Sequence, residues 1–384
     1  MHPKHAPMGA GQTAIACTLF RGGTSKGLFF LRGNLPADDA TRDRVLLSAM
    51  GSPDSRQIDG IGGADPLTSK VGIVGRSAKP GVDLEFLFAQ VSVDRAKVDT
   101  TPNCGNMLAA VVPFALEQGI IQATGETTTA RVLTLNTDML AEITVQTPGK
   151  RIRYDGDCHI DGVPGSHAPI AINFLDIAGS VCASLLPTGS IRDIIEGIDV
   201  TCIDNGMPVV LLAASAFGKT GYETRDELNA DAELKRALEA VRLEAGRRMG
   251  LGDVGDKVVP KMSLIAPARA GGSICTRTFI PHVCHASIGV LGAVSVATAC
   301  VLPGSVAAAM TSPSVGGGSQ ISVEHPSGEF TVDLEVTMGP AGPEVKRAAL
   351  LRTARSLFSG HVNIPAAVWA GPVGSITQMS KIHG

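Results

Sequence analysis

Short apolar runs, broken by clusters of Gly, Pro, Asp and Asn, fill the first part of the chain. Ile15 to Phe20, Gly27 to Leu31, Val71 to Val74, Val82 to Gln90, Arg131 to Asn136 and Ala141 to Thr147 read as strands. Two helical patterns interrupt them. One covers Ala40 to Met50 and stops before Gly51 and Pro53. The other follows Cys104, sets Leu108, Val111, Val112, Ala115 and Leu116 on its apolar side, and stops at Gly119.

The second half repeats this plan. Val200 to Ile203, Pro208 to Ala213, Met262 to Pro267 and Ser273 to Ile280 have strand character. Arg225 to Arg248 is the clearest amphipathic helix, ended by Gly250. Ala286 to Leu302 carries no charge and reads as a buried helix. Late strands at 320–323 and 329–338 bracket a His325-Pro326-Ser327-Gly328 turn, and a last helix is expected over Val345 to Phe358. The halves look alike at one point. Thr101-Pro102-Asn103-Cys104-Gly105 feeds one apolar helix, and His282-Val283-Cys284-His285-Ala286-Ser287 feeds the other. If a pseudo-two-fold relates the halves, two helix N-termini would face one cleft and favour carboxylates there.

Composition narrows the class. The 384 residues suffice for two domains, with a break near Pro187 to Ser190 that gives 1–188 and 189–384. Hydrophobic residues at 44% supply a sizeable core, while 4% aromatics, 45 Gly and 23 Pro suit a β-rich or α+β protein packed with small residues. So few aromatics argue against stacking on nucleic acid. Lys+Arg 33 against Asp+Glu 36, with no charged run, gives no support for nucleic acid or an anionic membrane as partner. Eight cysteines without a CxxC pair suggest free thiols in a reducing, cytoplasmic setting. The first residues lack the apolar segment of a signal peptide. The 286–302 stretch is shorter than the roughly 20 residues of a membrane span, is rich in Gly, Ser and Thr, and ends at Pro303, so a core helix is the better reading.

Several motifs carry candidate chemistry. In Asn103-Cys104-Gly105-Asn106-Met107 a cysteine stands where a loop enters a helix. Exposed N–H groups and the helix dipole favour thiolate over thiol at such a place. A buried structural cysteine fits the local pattern equally well. Arg21 to Gly27 is a glycine-rich turn between apolar runs whose backbone can approach an anion, although a plain hairpin turn has the same composition. Asp59 to Lys70 is a second glycine-rich loop that fails the dinucleotide fingerprint. A lysine near apolar walls can serve as a base, but most lysines are solvated, so Lys70 alone decides nothing. Gly218-Lys219-Thr220 lacks the first glycine of a phosphate loop. His282, Cys284 and His285 lack a second ligand cluster, so no metal is expected. No G-x-S-x-G elbow supports a hydrolase triad.

FRGGTSKG (20–27), DGIGGADPLTSKV (59–71), PNCGNM (102–107), IDNGMPVV (203–210) and HASIG (285–289) stand in one order along nearly the whole chain. Together they resemble the PrpF-like isomerases, which include methylaconitate and 4-oxalomesaconate isomerases (also called tautomerases). The stretch 50–71 points to the 4-oxalomesaconate branch. The resemblance implies an α+β, diaminopimelate epimerase-like fold: two similar domains, each a sheet around a central helix, with the site in the cleft between them. Related epimerases use two cysteines. Here the first matches Cys104, while the second position falls in His285-Ala286-Ser287, at Ser287. That departure disfavours a two-thiol racemase and fits a branch in which Lys70 works with Cys104.

The reaction so implied is a 1,3-proton shift in an unsaturated tricarboxylate from aromatic (protocatechuate or gallate) catabolism, with no cofactor. Lys70 is the expected base and Cys104 its partner acid, the reverse assignment staying open. Thr24, Ser25, Ser69, Asn103, Gly105, Asn106 and Met107 would bind substrate from the first domain. Asn205, Gly206, Met207, Arg277, His282, Ser287 and the Gly317-Gly318-Ser319 turn would do so from the second. A homodimer is admitted. Methylaconitate or aconitate isomerisation, and non-catalytic tricarboxylate binding, stay open as alternatives.

Overall fold

The computed structural model describes residues 11–312, 320–340 and 342–371. Two compact units divide the chain. The first holds residues up to His159, Val163–Ile172 and the segment from Arg352 onward; the second holds Ile160–Gly162 and Asn173–Leu351.

The first unit contains β1 (Gln12–Gly22), β2 (Ser25–Leu31), α1 (Asp39–Met50), β3 (Lys70–Arg76), β4 (Leu84–Val91), β5 (Val98–Asp99), α2 (Gly105–Leu108), α3 (Val111–Glu117), β6 (Thr127–Thr134) and β7 (Met139–Gln146). β1 and β2 form a hairpin, β2 runs parallel to β3, β3 pairs antiparallel with β4, β4 runs parallel to β6, and β6 and β7 form a second hairpin. α2 and α3 make the crossover from β4 to β6 and are buried almost throughout. Phe20, Phe29 and Phe114 pack with this helical segment, with ring centroids 5.4 Å apart for Phe20–Phe29 and 5.6 Å for Phe29–Phe114. α1 covers the other face through Val45, Leu46, Ala49 and Met50.

β8 (Ile170–Phe174) leads into the second unit. That unit contains β9 (Asp193–Ile195), β10 (Ile198–Asp204), β11 (Pro208–Ala213), α4 (Arg225–Ala230), α5 (Ala232–Arg248), β12 (Lys261–Pro267), β13 (Ile274–Phe279), α6 (Val290–Cys300), β14 (Gln320–His325), β15 (Gly328–Gly339) and β16 (Gly342–Arg352). The pairing order repeats that of the first unit. A hairpin β10–β11 is followed by a helical crossover to parallel β12, a pair β12–β13, a crossover through α6 to parallel β14, and a hairpin β14–β15. α6 is buried from Gly292 to Cys300. Each unit thus wraps its strands around one buried helical segment. Among the described residues no helix is long and apolar enough to cross a membrane. The uncharged 286–302 stretch supplies the buried α6 instead.

Four expectations change. The last helix over Val345 to Phe358 is strand: β16 pairs with β15, and β17 (Ala354–Pro365) pairs with β1 from Gln12 to Gly22. Ala, Leu, Lys and Arg there favour helix locally, but two waiting strand edges override that preference. This pairing also moves the division of the chain. The second unit ends at Leu351, and the first break lies before residue 188. The helix after Cys104 is two short pieces, because Pro113 cannot donate to the Ala109 carbonyl and its ring crowds it. The Arg225 to Arg248 helix is also broken. Asp231 leaves the helical region (φ −79°, ψ 92°), and its side chain caps α5 through the Leu234 N–H.

Candidate active site

In the first unit, three sequence motifs meet on one local surface. β2 lies beside β3 with Gly27 opposite Lys70. A Cβ on Gly27 would strike the Lys70 carbonyl and lie 2.7 Å from Met107 Cε, so glycine is what lets Lys70 and the α2 segment close on this strand. The turn before it is held the same way. Gly23 has φ +50°, and a Cβ there would collide with the Asn106 side chain. Asn106 Nδ2 donates to Thr24 Oγ1 at 3.0 Å and reaches Ser25 Oγ at 3.5 Å. Arg21 braces the turn from the other side, its Nη1 donating to the Gly23 carbonyl and to both oxygens of Thr353.

The second glycine-rich loop joins this surface through its C-terminal end. Lys26 N–H donates to the Leu67 carbonyl at 2.9 Å. Ser69 is wholly buried, and its hydroxyl donates to Gln57 Oε1 at 2.7 Å and to the Asp65 carbonyl at 2.9 Å. Lys70 is 8% exposed; its ammonium donates to Gln90 Oε1 at 2.6 Å and lies 5.1 Å from the Phe88 ring centroid. Cys104 is half-buried in extended conformation (φ −137°, ψ 99°) at the N-cap of α2. Its own N–H is taken by Asn103 Oδ1 at 2.9 Å. The first N–H groups of such a helix have no partner within it.

The expected residues of the second unit fall into different settings. Ser287 Oγ lies 3.2 Å from His325 Nε2, and His325 Nδ1 accepts from the Ser327 N–H at 3.3 Å. A neutral ring in that network carries its proton on Nε2 and donates to the serine, leaving the serine's own proton for another acceptor. Ser287 stands two residues before Gly289, which caps α6. Arg277, with 9% exposure, lines a cavity of about 480 Å³ with Arg269, Glu324 and His325. Its Nε and Nη1 donate to the Glu223 and Thr276 carbonyls at 2.7 and 2.9 Å, and Nη1 lies 3.4 Å from Cys275 Sγ. None of these partners is a carboxylate. The Glu324 carboxylate in the same cavity is held by the N–H groups of Arg269, Ala270 and Gly272.

Two candidates have partners within the second unit. Asn205 is wholly buried, with its N–H and Nδ2 donating to Ser295 and Thr298 of α6, while its Oδ1 has no partner among the described residues. His282 is turned to α5, its Nδ1 3.6 Å from Glu239 Oε2, while the neighbouring Cys284 is tied to Asn229 and Arg225. Gly206 (φ +85°) and Met207, whose carbonyl accepts from Ser295 Oγ at 2.8 Å, carry the turn beside Asn205. Gly317, Gly318 and Ser319 lie outside the described residues. Among the described residues no group of three His, Cys, Asp or Glu side chains is placed to hold a metal ion. The motifs did not reveal Gln57, Gln90 or His325. Gln90 left one trace, an amide inside the apolar run from Phe86 to Val91 of β4.

The chain is 56% identical over 362 residues to 4-oxalomesaconate tautomerase of Pseudomonas putida, covering 94% of this chain and 99% of that one. It is 56% identical over 346 residues to (4E)-oxalomesaconate Delta-isomerase of a Novosphingobium species, covering 90% and 96%. A crystal structure of methylitaconate-delta-isomerase superposes with a TM-score of 0.83 at 33% identity, covering 96% of this chain and all of that one. The fold is the α+β, diaminopimelate epimerase-like one, and the relatives are isomerases. The model of the PrpF protein family matches residues 12–365, and the chain belongs to that family.

Proposed function

We propose that the protein is a 4-oxalomesaconate isomerase that moves a carbon–carbon double bond by 1,3-proton transfer. The observation that carries this reading is the 56% identity, over nearly the full chain, to two relatives whose names both specify an oxalomesaconate. Similarity to 3-methylitaconate isomerase of Eubacterium barkeri is lower, at 34%, and favours the same reaction type on a different acid.

In the proposed reaction Lys70, in its neutral amine form, takes a proton from the carbon adjacent to the conjugated system and becomes the ammonium. The electron pair delocalises into a dienolate, and Cys104 returns a proton two carbons away. One proton leaves and one is added, so no redox cofactor is required. The barrier is set by carbon acidity, and fixed donors aimed at the developing negative charge lower it. Thr24, Ser25, Asn103, Gly105, Asn106 and Met107 supply such donors around Cys104, and Ser69 shapes the loop before Lys70. In the second unit we assign Arg277, Ser287, Gly206 and Met207 to substrate carboxylates. Arg277 suits this role because, among the described residues, its guanidinium is held by carbonyls and a thiol rather than by a carboxylate. A cytoplasmic setting suits eight scattered cysteines, and the substrate places the protein in aromatic catabolism.

The test is to incubate the protein separately with 4-oxalomesaconate and with methylaconitate in deuterated water, following both by NMR. Deuterium entering 4-oxalomesaconate with migration of its double bond is the expected result. Turnover of methylaconitate alone would overturn the substrate assignment, and binding without exchange would overturn the enzymatic one.

A further inference from the structure

Gln90 on β4 stands directly opposite Lys70 on β3. Both ends of its amide are in use. Nε2 donates to the Pro66 and Ser69 carbonyls at 3.0 and 3.1 Å. Carbonyl oxygens only accept, so this end must be the NH₂ group, and Oε1 is left to face the Lys70 ammonium at 2.6 Å. The Phe88 ring borders the same ammonium. A lysine stem has four flexible carbons, and an unrestrained end samples many positions. Here one acceptor and one aromatic face define its place.

The choice of an amide has a further meaning. A carboxylate at this position would hold the proton on lysine by charge attraction. An amide oxygen orients the nitrogen without adding that charge. The same side chain binds the end of the glycine-rich loop, so loop position and ammonium position are set together.

We propose that Gln90 is a positioning residue that fixes the Lys70 side-chain nitrogen in its working place. The proposal rests on the reading of Lys70 as the base. Gln90 acts through Lys70 and touches no reacting atom. Gln57 offers a control, since it holds the same loop through Ala64 N–H and the Ser69 hydroxyl with no contact to Lys70 Nζ.

The experiment compares kcat and KM across pH for wild type, Gln90→Met, Gln90→Glu, Gln57→Ala and Lys70→Met, with 4-oxalomesaconate as substrate. Small misplacements of a reacting group cost on the order of 10²-fold, so Gln90→Met is expected to lose about 30-fold or more in kcat with KM within about threefold. Gln90→Glu keeps the acceptor but adds charge; its acid limb is expected to move up by roughly one pH unit, with activity recovering in alkali. Gln57→Ala is expected to keep kcat within about fivefold. A kcat for Gln90→Met within about twofold of wild type overturns the proposal, as does a Gln57→Ala variant with the same kcat loss at unchanged KM. If Gln90→Met does not fold, Gln90→Glu decides, and an unmoved acid limb overturns the proposal. Near-normal turnover by Lys70→Met sinks the base assignment and the proposal with it. An inactive Lys70→Met beside a fully active Gln90→Met sinks only the role of Gln90.

Discussion

The Asn106 side-chain amide donates to the Thr24 hydroxyl at 3.0 Å, joining the first hairpin turn to the helical segment that begins after Cys104. The two residues are far apart in sequence, yet Gly23 is shaped around the same amide. Asn106→Ala is expected to loosen the turn. One neutral hydrogen bond contributes about 1 kcal/mol, so thermal unfolding should shift by only a few degrees. KM for 4-oxalomesaconate should rise by roughly tenfold, as donors near Cys104 lose their fixed places. Unchanged KM, measured by steady-state kinetics, would count against a substrate-binding role for this turn.

Lys70→Met and Cys104→Ser address the two proton-transfer roles. Loss of a general acid or base typically costs about 10² to 10⁴-fold in rate. Lys70→Met should show such a loss in kcat while calorimetry still detects substrate binding. Cys104→Ser should lose most turnover and alter deuterium incorporation from solvent. Normal kinetics in Cys104→Ser would mean that the thiol is structural.

Arg242 is wholly buried on α5, where Nε and Nη2 meet Glu239 and Nη1 donates to the Lys257 and Val259 carbonyls at 3.1 and 3.2 Å. Arg242→Ala leaves these carbonyls without their donor and opens a void. Leaving buried acceptors without their donor costs about 1 to 3 kcal/mol each. The urea midpoint of unfolding is expected to fall sharply. A midpoint equal to wild type would show that the segment after α5 is held by other contacts.

His285 should make the second unit sensitive to acid. Burial lowers its proton affinity below the ordinary histidine value, and Arg225 and Lys261 add to the effect. The unfolded chain therefore binds the proton more readily than the folded one. The histidine's contribution to stability is full above its ordinary value near 6.5 and is lost as pH falls toward the lowered one. His285→Gln should flatten the decline in unfolding midpoint between about pH 7 and pH 5. An equally steep decline in the variant would assign the sensitivity elsewhere.

What the sequence made legible was local. The hairpin turn at 22–24, the lysine after a glycine-rich loop and the cysteine before a buried helix are each written in adjacent residues, and all survive in the structure. What it hid depends on distant partners. Val345 to Phe358 reads as helix until β1 and β15 are there to pair with it. The donors of Asn205 turn out to face Ser295 and Thr298 of α6, a partnership no local pattern announces. Gln90 closes an ordinary strand, and only the register of β3 against β4 reveals that it faces Lys70. Pro113 was visible, but its effect on the helix was hidden by the apolar pattern around it.

The pairing of β17 with β1 has a consequence for biosynthesis. The ribosome makes the segment holding Lys70 and Cys104 early, but that unit lacks an edge strand until the residues after Arg352 emerge. The second unit, nearly continuous in sequence, has all its own strands before then. A growing chain can thus complete its later-made unit first, and Lys70 and Cys104 wait for β17 before their own unit can close.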